Sequence, residues 1–170
     1  VSKPRVVLVG PMGAGKSTVA RRLGAHWGLP VRDTDQDIEA TAGKPVSEIF
    51  VDEGEEHFRA LEVEAVRAAL EGHDGVLALG GGAVLAEATQ QALEGHTVVY
   101  LEVGLADAVK RVGLGHGRPL LLGNVRARVM KLLEERAPIY DAVATITVDT
   151  NGRTPDDVAA EVIRRVEETA

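Results

Sequence analysis

Short apolar runs alternate along this chain with longer stretches whose apolar positions recur every three or four residues. The runs within Arg5–Val9, Val76–Leu79, Thr97–Glu102 and Ala144–Val148 predict strands buried on both faces. Pro30–Arg32 predicts a further short strand, second in chain order and ending at Asp33-Thr34-Asp35. The helical spacing covers Ser17–Trp27, Asp35–Ala42, Val46–Asp52, Glu55–Leu70, Glu87–Leu93, Leu105–Val112, Val125–Arg136 and Pro155–Glu168. In Glu55–Leu70 the apolar face is Phe58, Leu61, Ala65, Val66 and Ala69, and Gly72 ends the helix. Pro155 behind Thr154 is a proline at the first helical position after a good N-cap. Only the segment Gly113–Asn124 breaks all periodicity.

Buried strands separated by helices imply an α/β chain with a parallel sheet covered on both faces. Ligands in such folds sit at the carboxyl ends of the strands. The positions to read for chemistry are therefore Gly10–Ser17, Asp33 and Asp35, and Gly80–Gly82.

Composition changes this picture mainly by exclusion. A length of 170 residues with 45% hydrophobic content predicts one domain, 1–170, with a full core. With no cysteine, disulfides, zinc–thiolate sites and thiol catalysis are ruled out. The histidines are scattered without metal-ligand spacing. A formal charge of −7 argues against broad nucleic-acid binding and leaves any anionic substrate to local arginines. No apolar stretch approaches membrane-spanning length and no signal-peptide pattern opens the chain, so a soluble, cytoplasmic protein is expected.

The strongest chemical signal is Gly10-Pro11-Met12-Gly13-Ala14-Gly15-Lys16-Ser17, directly after Val6-Val7-Leu8-Val9. It matches G-x-x-x-x-G-K-[ST] in the strand–turn–helix setting that gives this P-loop motif its meaning. The glycines let successive backbone N–H groups surround phosphate oxygens, and the helix that follows adds the positive end of its dipole. Gly13, Ala14, Gly15, Lys16, Ser17 and Thr18 are the candidate phosphate contacts, with Lys16 reaching the β/γ-phosphates and the Ser17 hydroxyl a ligand for Mg²⁺. A glycine-rich turn with a surface lysine is the plainer alternative. The motif in this setting predicts binding of a nucleoside triphosphate.

Asp33 and Asp35 leave the end of the second strand, where a carboxylate can position Mg²⁺ through its waters or accept a hydroxyl proton. They can equally be a helix N-cap and a first-turn acid. Gly80-Gly81-Gly82 suits close approach of backbone to a ligand, or merely tight packing of helix on strand. Arg59 has Glu55 and Glu62 within helical reach, so a surface ion pair competes with anion binding. Arg136 stands just before Pro138, where a cation already favours a helix end. Arg111 and Arg118 flank the glycine-rich stretch from Val112 to Gly117, which suits a mobile lid over 113–124.

Taken together, G-P-M-G-A-G-K-S-T at 10–18, D-T-D at 33–35, F-R-x-x-E at 58–62, L-G-G-G-A at 79–83, R-P-L-L at 118–121 and R-x-P-x-Y at 136–140 resemble shikimate kinases, in order and spacing from Val6 to Pro155. The resemblance implies a three-layer P-loop kinase fold of the nucleoside-monophosphate-kinase type, with a five-stranded parallel sheet in order 2-3-1-4-5, a mobile lid and a substrate-binding region about 33–62. It implies MgATP-dependent phosphorylation of the 3-hydroxyl of shikimate by a monomer, in aromatic amino-acid biosynthesis. Lys16 and Ser17 would hold phosphates and Mg²⁺, with Asp33 acting on the metal through water. Asp35 would bind the reacting hydroxyl as candidate base. Arg59, Arg136 and the Gly80–Gly82 backbone, above all the amides of Gly81 and Gly82, would bind shikimate, and Glu62 would orient Arg59. Arg118 would close over the phosphates as a third catalytic group beside Lys16 and Asp35. Arg111 and Arg153 would lie along the adenine side, with Asn151–Pro155 as the adenine loop.

Two other readings stay open on the residues alone. One is a related small-molecule kinase such as a gluconate kinase, which needs the P-loop and lid but not Asp35, Arg59, Arg136 and the glycine triplet. The other is an ATP-binding module that phosphorylates nothing.

Overall fold

The computed structural model describes residues 3–116 and 122–169. Strands β1 (Val6–Val9), β2 (Val31–Asp33), β3 (Val76–Ala78), β4 (Val98–Glu102) and β5 (Ile146–Asp149) form one parallel sheet in the order β2-β3-β1-β4-β5. The sheet and its order are those expected. Register decides what the strand ends bring together. Leu8 pairs with Ala78, and Ala78 with Asp33. Gly10, Gly80 and Asp35 each follow two residues beyond that row, so the three candidate loops emerge side by side.

Helices α1 (Lys16–Trp27), α2 (Thr34–Ala42), α3 (Val46–Glu53), α4 (Glu55–Gly72), α5 (Glu87–Ala92), α6 (Leu105–His116), α7 (Leu122–Val143) and α8 (Pro155–Thr169) complete the fold, with a 3₁₀ turn at Ala83–Leu85. The period of two along each strand sorts its side chains to opposite faces. Val6, Leu8, Val76, Ala78, Val99, Leu101, Ile146 and Val148 form one core with Leu23 of α1 and Val162 of α8. Val7, Val9, Leu77, Leu79, Val98 and Tyr100 form the other with Val66 and Leu70 of α4 and Tyr140 of α7. A third, smaller core of Ile38, Ile49 and Phe58 holds α2, α3 and α4 together beside the sheet.

Three expectations need correction. The end predicted at Arg136 is wrong, since α7 runs on to Val143 with Pro138 inside it. A proline there removes one backbone hydrogen bond and crowds the preceding turn. Burial of Tyr140 against Tyr100, with Ile139 and Val143 packed beside it, holds the last turns helical. Likewise α6 continues past Val112 through Gly113 and Gly115 to His116 and lies against α7. The surface setting offered for an ion pair of Arg59 with Glu62 does not hold either, since Glu62 is buried among the core positions of α4. No helix among the described residues is long and apolar enough to cross a membrane.

Candidate active site

At the carboxyl ends of β1, β2 and β3 lies a cavity of about 870 Å³. Its wall includes Gly13, Gly15, Lys16, Ser17, Thr18, Asp33, Asp35, Arg59, Glu62, Gly80, Gly81, Gly82 and Arg136. One end is built for phosphate. Gly13 and Gly15 hold φ of 87° and 89°, a backbone region that a Cβ disfavours, which lets the turn fold its amides inward. Helix α1 starts there with no side-chain cap and no acid in its first turn, whereas α2, α3, α4 and α8 all open with acids. Its positive end is therefore left for an anion.

Lys16 folds back over this turn. Its ammonium donates to the carbonyls of Gly10 at 2.7 Å and Pro11 at 3.0 Å. Burial pulls its pKa down to about 8, although the Asp35 and Asp33 charges pull the other way. Asp33 divides its two oxygens. Oδ1 accepts from the Asp35 amide at 2.8 Å and caps α2, while Oδ2 stands 3.5 Å from Ser17 Oγ. The capping reading of Asp33 is thus realised together with a free oxygen facing the P-loop. Among the described residues no group of three or more His, Cys, Asp and Glu can hold a metal. A hydroxyl beside one carboxylate nevertheless fits a hard, oxygen-seeking ion such as Mg²⁺, which keeps waters and completes its shell with phosphate oxygens.

The other end is built for an acceptor. Asp35 sits in the first turn of α2, and burial followed by the Asp33 and Glu62 carboxylates pushes its pKa up to about 6, against the opposing pull of Lys16. Gly80 lies so close that a Cβ there would stand 2.6 Å from Asp35 Oδ1 and 3.1 Å from Glu62 Oε2. Arg59 reaches over Gly82, where a Cβ would meet its Nη1 at 2.6 Å. It also bonds Glu62 at 2.7 Å and lies 3.4 Å from Glu55. The ion pairs therefore form, and they aim Arg59 at the glycine loop rather than at solvent. Burial raises the Glu62 pKa despite Arg59, which pulls it down. Arg136 projects from the middle of α7, so a helix-end role does not apply to it.

Not every expected residue joins this wall. Ala14 is buried in the core, and its amide donates to Pro11 O at 3.2 Å. Arg111 lies behind the P-loop, donating to Gly13 O at 3.1 Å and to Thr150 O at 2.9 Å. Arg153 turns toward α8, bonding Glu161 at 2.6 Å and the Asp149 carbonyl at 2.8 Å. Arg118 and residues 117–121 of the expected lid lie outside the described residues. Sequence reading missed Thr34, whose buried hydroxyl accepts from Gly80 N at 3.3 Å, and the apolar lining from Val46, Phe50, Phe58, Val129, Leu132 and Leu133. The only available signal was that both phenylalanines of an aromatic-poor chain fall beside Arg59 in the sequence or in helix α3 just before it.

Comparison with known proteins agrees with this geometry. The family model described as shikimate kinase matches residues 12–167. A shikimate kinase of Salinispora arenicola is 65% identical over 159 residues, which are 94% of this chain and 95% of that protein. The structure of a shikimate kinase from Acinetobacter baumannii in complex with shikimate superposes with a TM-score of 0.90 at 34% identity, covering 98% of this chain and 94% of that one. A gluconokinase from Sinorhizobium meliloti, at 18% identity and a TM-score of 0.65 over 98% of this chain and 93% of its own, shares the fold alone. On its sequence, its strand order and the breadth of these matches, the chain belongs to the shikimate kinase family.

Proposed function

We propose that this enzyme transfers the γ-phosphoryl group of ATP, with Mg²⁺, to the 3-hydroxyl of shikimate. The observation that carries the reading is one cavity holding a P-loop at one end and, at the other, a carboxylate among arginines and free glycine amides. Lys16 holds the β/γ-phosphates and follows the charge that builds on the transferring group. Ser17 and, through water, Asp33 hold the metal, which neutralises phosphate charge when bound. Asp35 orients the reacting hydroxyl and takes its proton, a role its raised pKa suits. Arg59 and Arg136 pair with the acceptor carboxylate, and Glu62 holds Arg59 in place. The amides of Gly81 and Gly82 have no acceptor among the described residues, which supports their use on the acceptor. Phe50 and Phe58 offer apolar surface to a carbocyclic ring. All these groups come from a single chain, which supports a monomer, and use of ATP supports a cytoplasmic setting.

The test is ATP consumption measured with Mg²⁺ and either no acceptor, shikimate or gluconate, with the product identified by phosphorus NMR. Consumption that depends on shikimate and yields its 3-phosphate is the expected outcome. Consumption driven by gluconate, or independent of any acceptor, overturns the reading.

A further inference from the structure

Tyr140 has no part in the chemistry just derived, yet it is 1% exposed and lies one turn past Arg136 on α7. Its ring stacks on Tyr100 of β4, with centroids 5.0 Å apart. Its hydroxyl donates to the carbonyl oxygen of Gly81 at 2.5 Å. That carbonyl belongs to the Gly81–Gly82 peptide, which is planar and trans, so its N–H points away from its C=O. Holding Gly81 O against Tyr140 therefore aims the Gly82 N–H to the opposite side. The preceding peptide is held in a similar way, because Ala83 N donates to Gly80 O at 3.1 Å.

Consecutive glycines have the freest backbone of any residues, so such a loop keeps one peptide orientation only if an outside group fixes it. Here that group sits on the helix that carries Arg136, four residues away on the same face. Arg136 Nη1 stands 3.8 Å from where a Cβ on Gly81 would lie. One side chain thus links the glycine loop to the helix that presents the arginine.

We propose that Tyr140 is a positioning residue for the acceptor, its hydroxyl setting the Gly82 amide and the Arg136 guanidinium in fixed relation around a carboxylate-bearing ring. The inference rests on the reading that those two groups bind the acceptor. Tyr140→Phe keeps the ring and its stack and removes only the donor. Its KM for shikimate should rise about tenfold, the effect of roughly one hydrogen bond, while its KM for ATP stays within about twofold.

Arg136→Lys, measured alongside, separates the two ideas. A raised KM for shikimate in Arg136→Lys with an unchanged one in Tyr140→Phe overturns the positioning role and leaves a tyrosine that only fills the core. An unchanged KM in Arg136→Lys overturns the acceptor site itself. Should Tyr140→Phe fail to fold, 3-fluorotyrosine in a Tyr100→Phe enzyme, where Tyr140 is the sole tyrosine, changes the donor strength without removing it. A KM for shikimate that shifts while that for ATP does not is expected there, and no shift in either overturns the proposal.

Discussion

Asp35 shows at the scale of one residue how function works against stability. Its carboxyl has an ordinary value near 3.8 and is pushed up to about 6 by burial and by the neighbouring Asp33 and Glu62. The folded protein thus holds this proton more tightly than the unfolded chain does. Below both values the two states are protonated alike and Asp35 costs nothing. As pH rises through the window from 3.8 to about 6, ionisation favours the unfolded chain, and above it the full penalty applies. We predict that Asp35→Asn, which is neutral at every pH, is more stable than the parent at pH 7.5. After allowance for solvent screening of a half-buried group, the gain is about 1–2 kcal/mol, and it shrinks toward zero near pH 4. Turnover should fall at least about a hundredfold in the same variant, since the base is lost, with ATP affinity nearly unchanged. Thermal melts at both pH values, with kinetics, check this. A gain over the parent that is no larger at pH 7.5 than at pH 4 would show that the carboxylate is not strained by its surroundings.

Among the elements, the loop after β3 joins the two arms of the acceptor site, and its glycines differ in what they touch. A Cβ on Gly80 would press on Asp35 at 2.6 Å, and one on Gly82 on Arg59 at 2.6 Å. Neither position has a left-handed φ, so alanine fits the backbone and only the neighbours must move. We predict that Gly80→Ala acts chiefly on kcat, by displacing the carboxylate, with a fall of about tenfold or more. Gly82→Ala should act chiefly on the KM for shikimate, because Arg59 is pushed off its Glu62 partner, a loss of roughly 1.5–3 kcal/mol in acceptor binding. Steady-state kinetics of the two folded variants decide it, and the same kcat and KM changes in both would end the division of labour. The loop's importance is legible in the sequence because three glycines after an apolar strand serve no simple turn. What each glycine touches is not legible, because Asp35 and Arg59 arrive through register and helix packing. The end of α7 escaped for a related reason. Pro138 is a local stop signal, and it is overridden by Tyr140 and its neighbours packing on a strand some 40 residues earlier, between Val98 and Glu102. Helical spacing shows that Glu62 can reach Arg59 but not that its carboxylate is buried, because that burial comes from how α4 packs in the fold.

Across the whole molecule, the strand order gathers into one cavity groups that lie far apart in the chain, and the cavity then tunes them against one another. Asp35 is raised to about 6 and Lys16 lowered to about 8, each chiefly by burial and each opposed by the other's charge. Productive binding needs the first ionised and the second protonated, so the fold itself sets a working pH range. We predict that kcat/KM for ATP, at saturating shikimate, falls above pH 8, where free Lys16 loses the proton that phosphate oxygens require. On the acid side, kcat/KM for shikimate at saturating ATP should fall below about pH 6. Bound phosphates bring negative charge near Asp35 and Mg²⁺ beside Asp33 would bring positive charge, so the two act on its pKa in opposite directions. The limbs belong to different residues and respond separately. Lys16→Arg, whose guanidinium does not lose its proton in this range, should abolish the alkaline fall whatever activity remains, and leave the acid limb in place. Buffers of constant ionic strength from pH 5 to 9.5 cover both limbs. An alkaline fall that persists in Lys16→Arg would mean that a group other than the P-loop lysine closes the range.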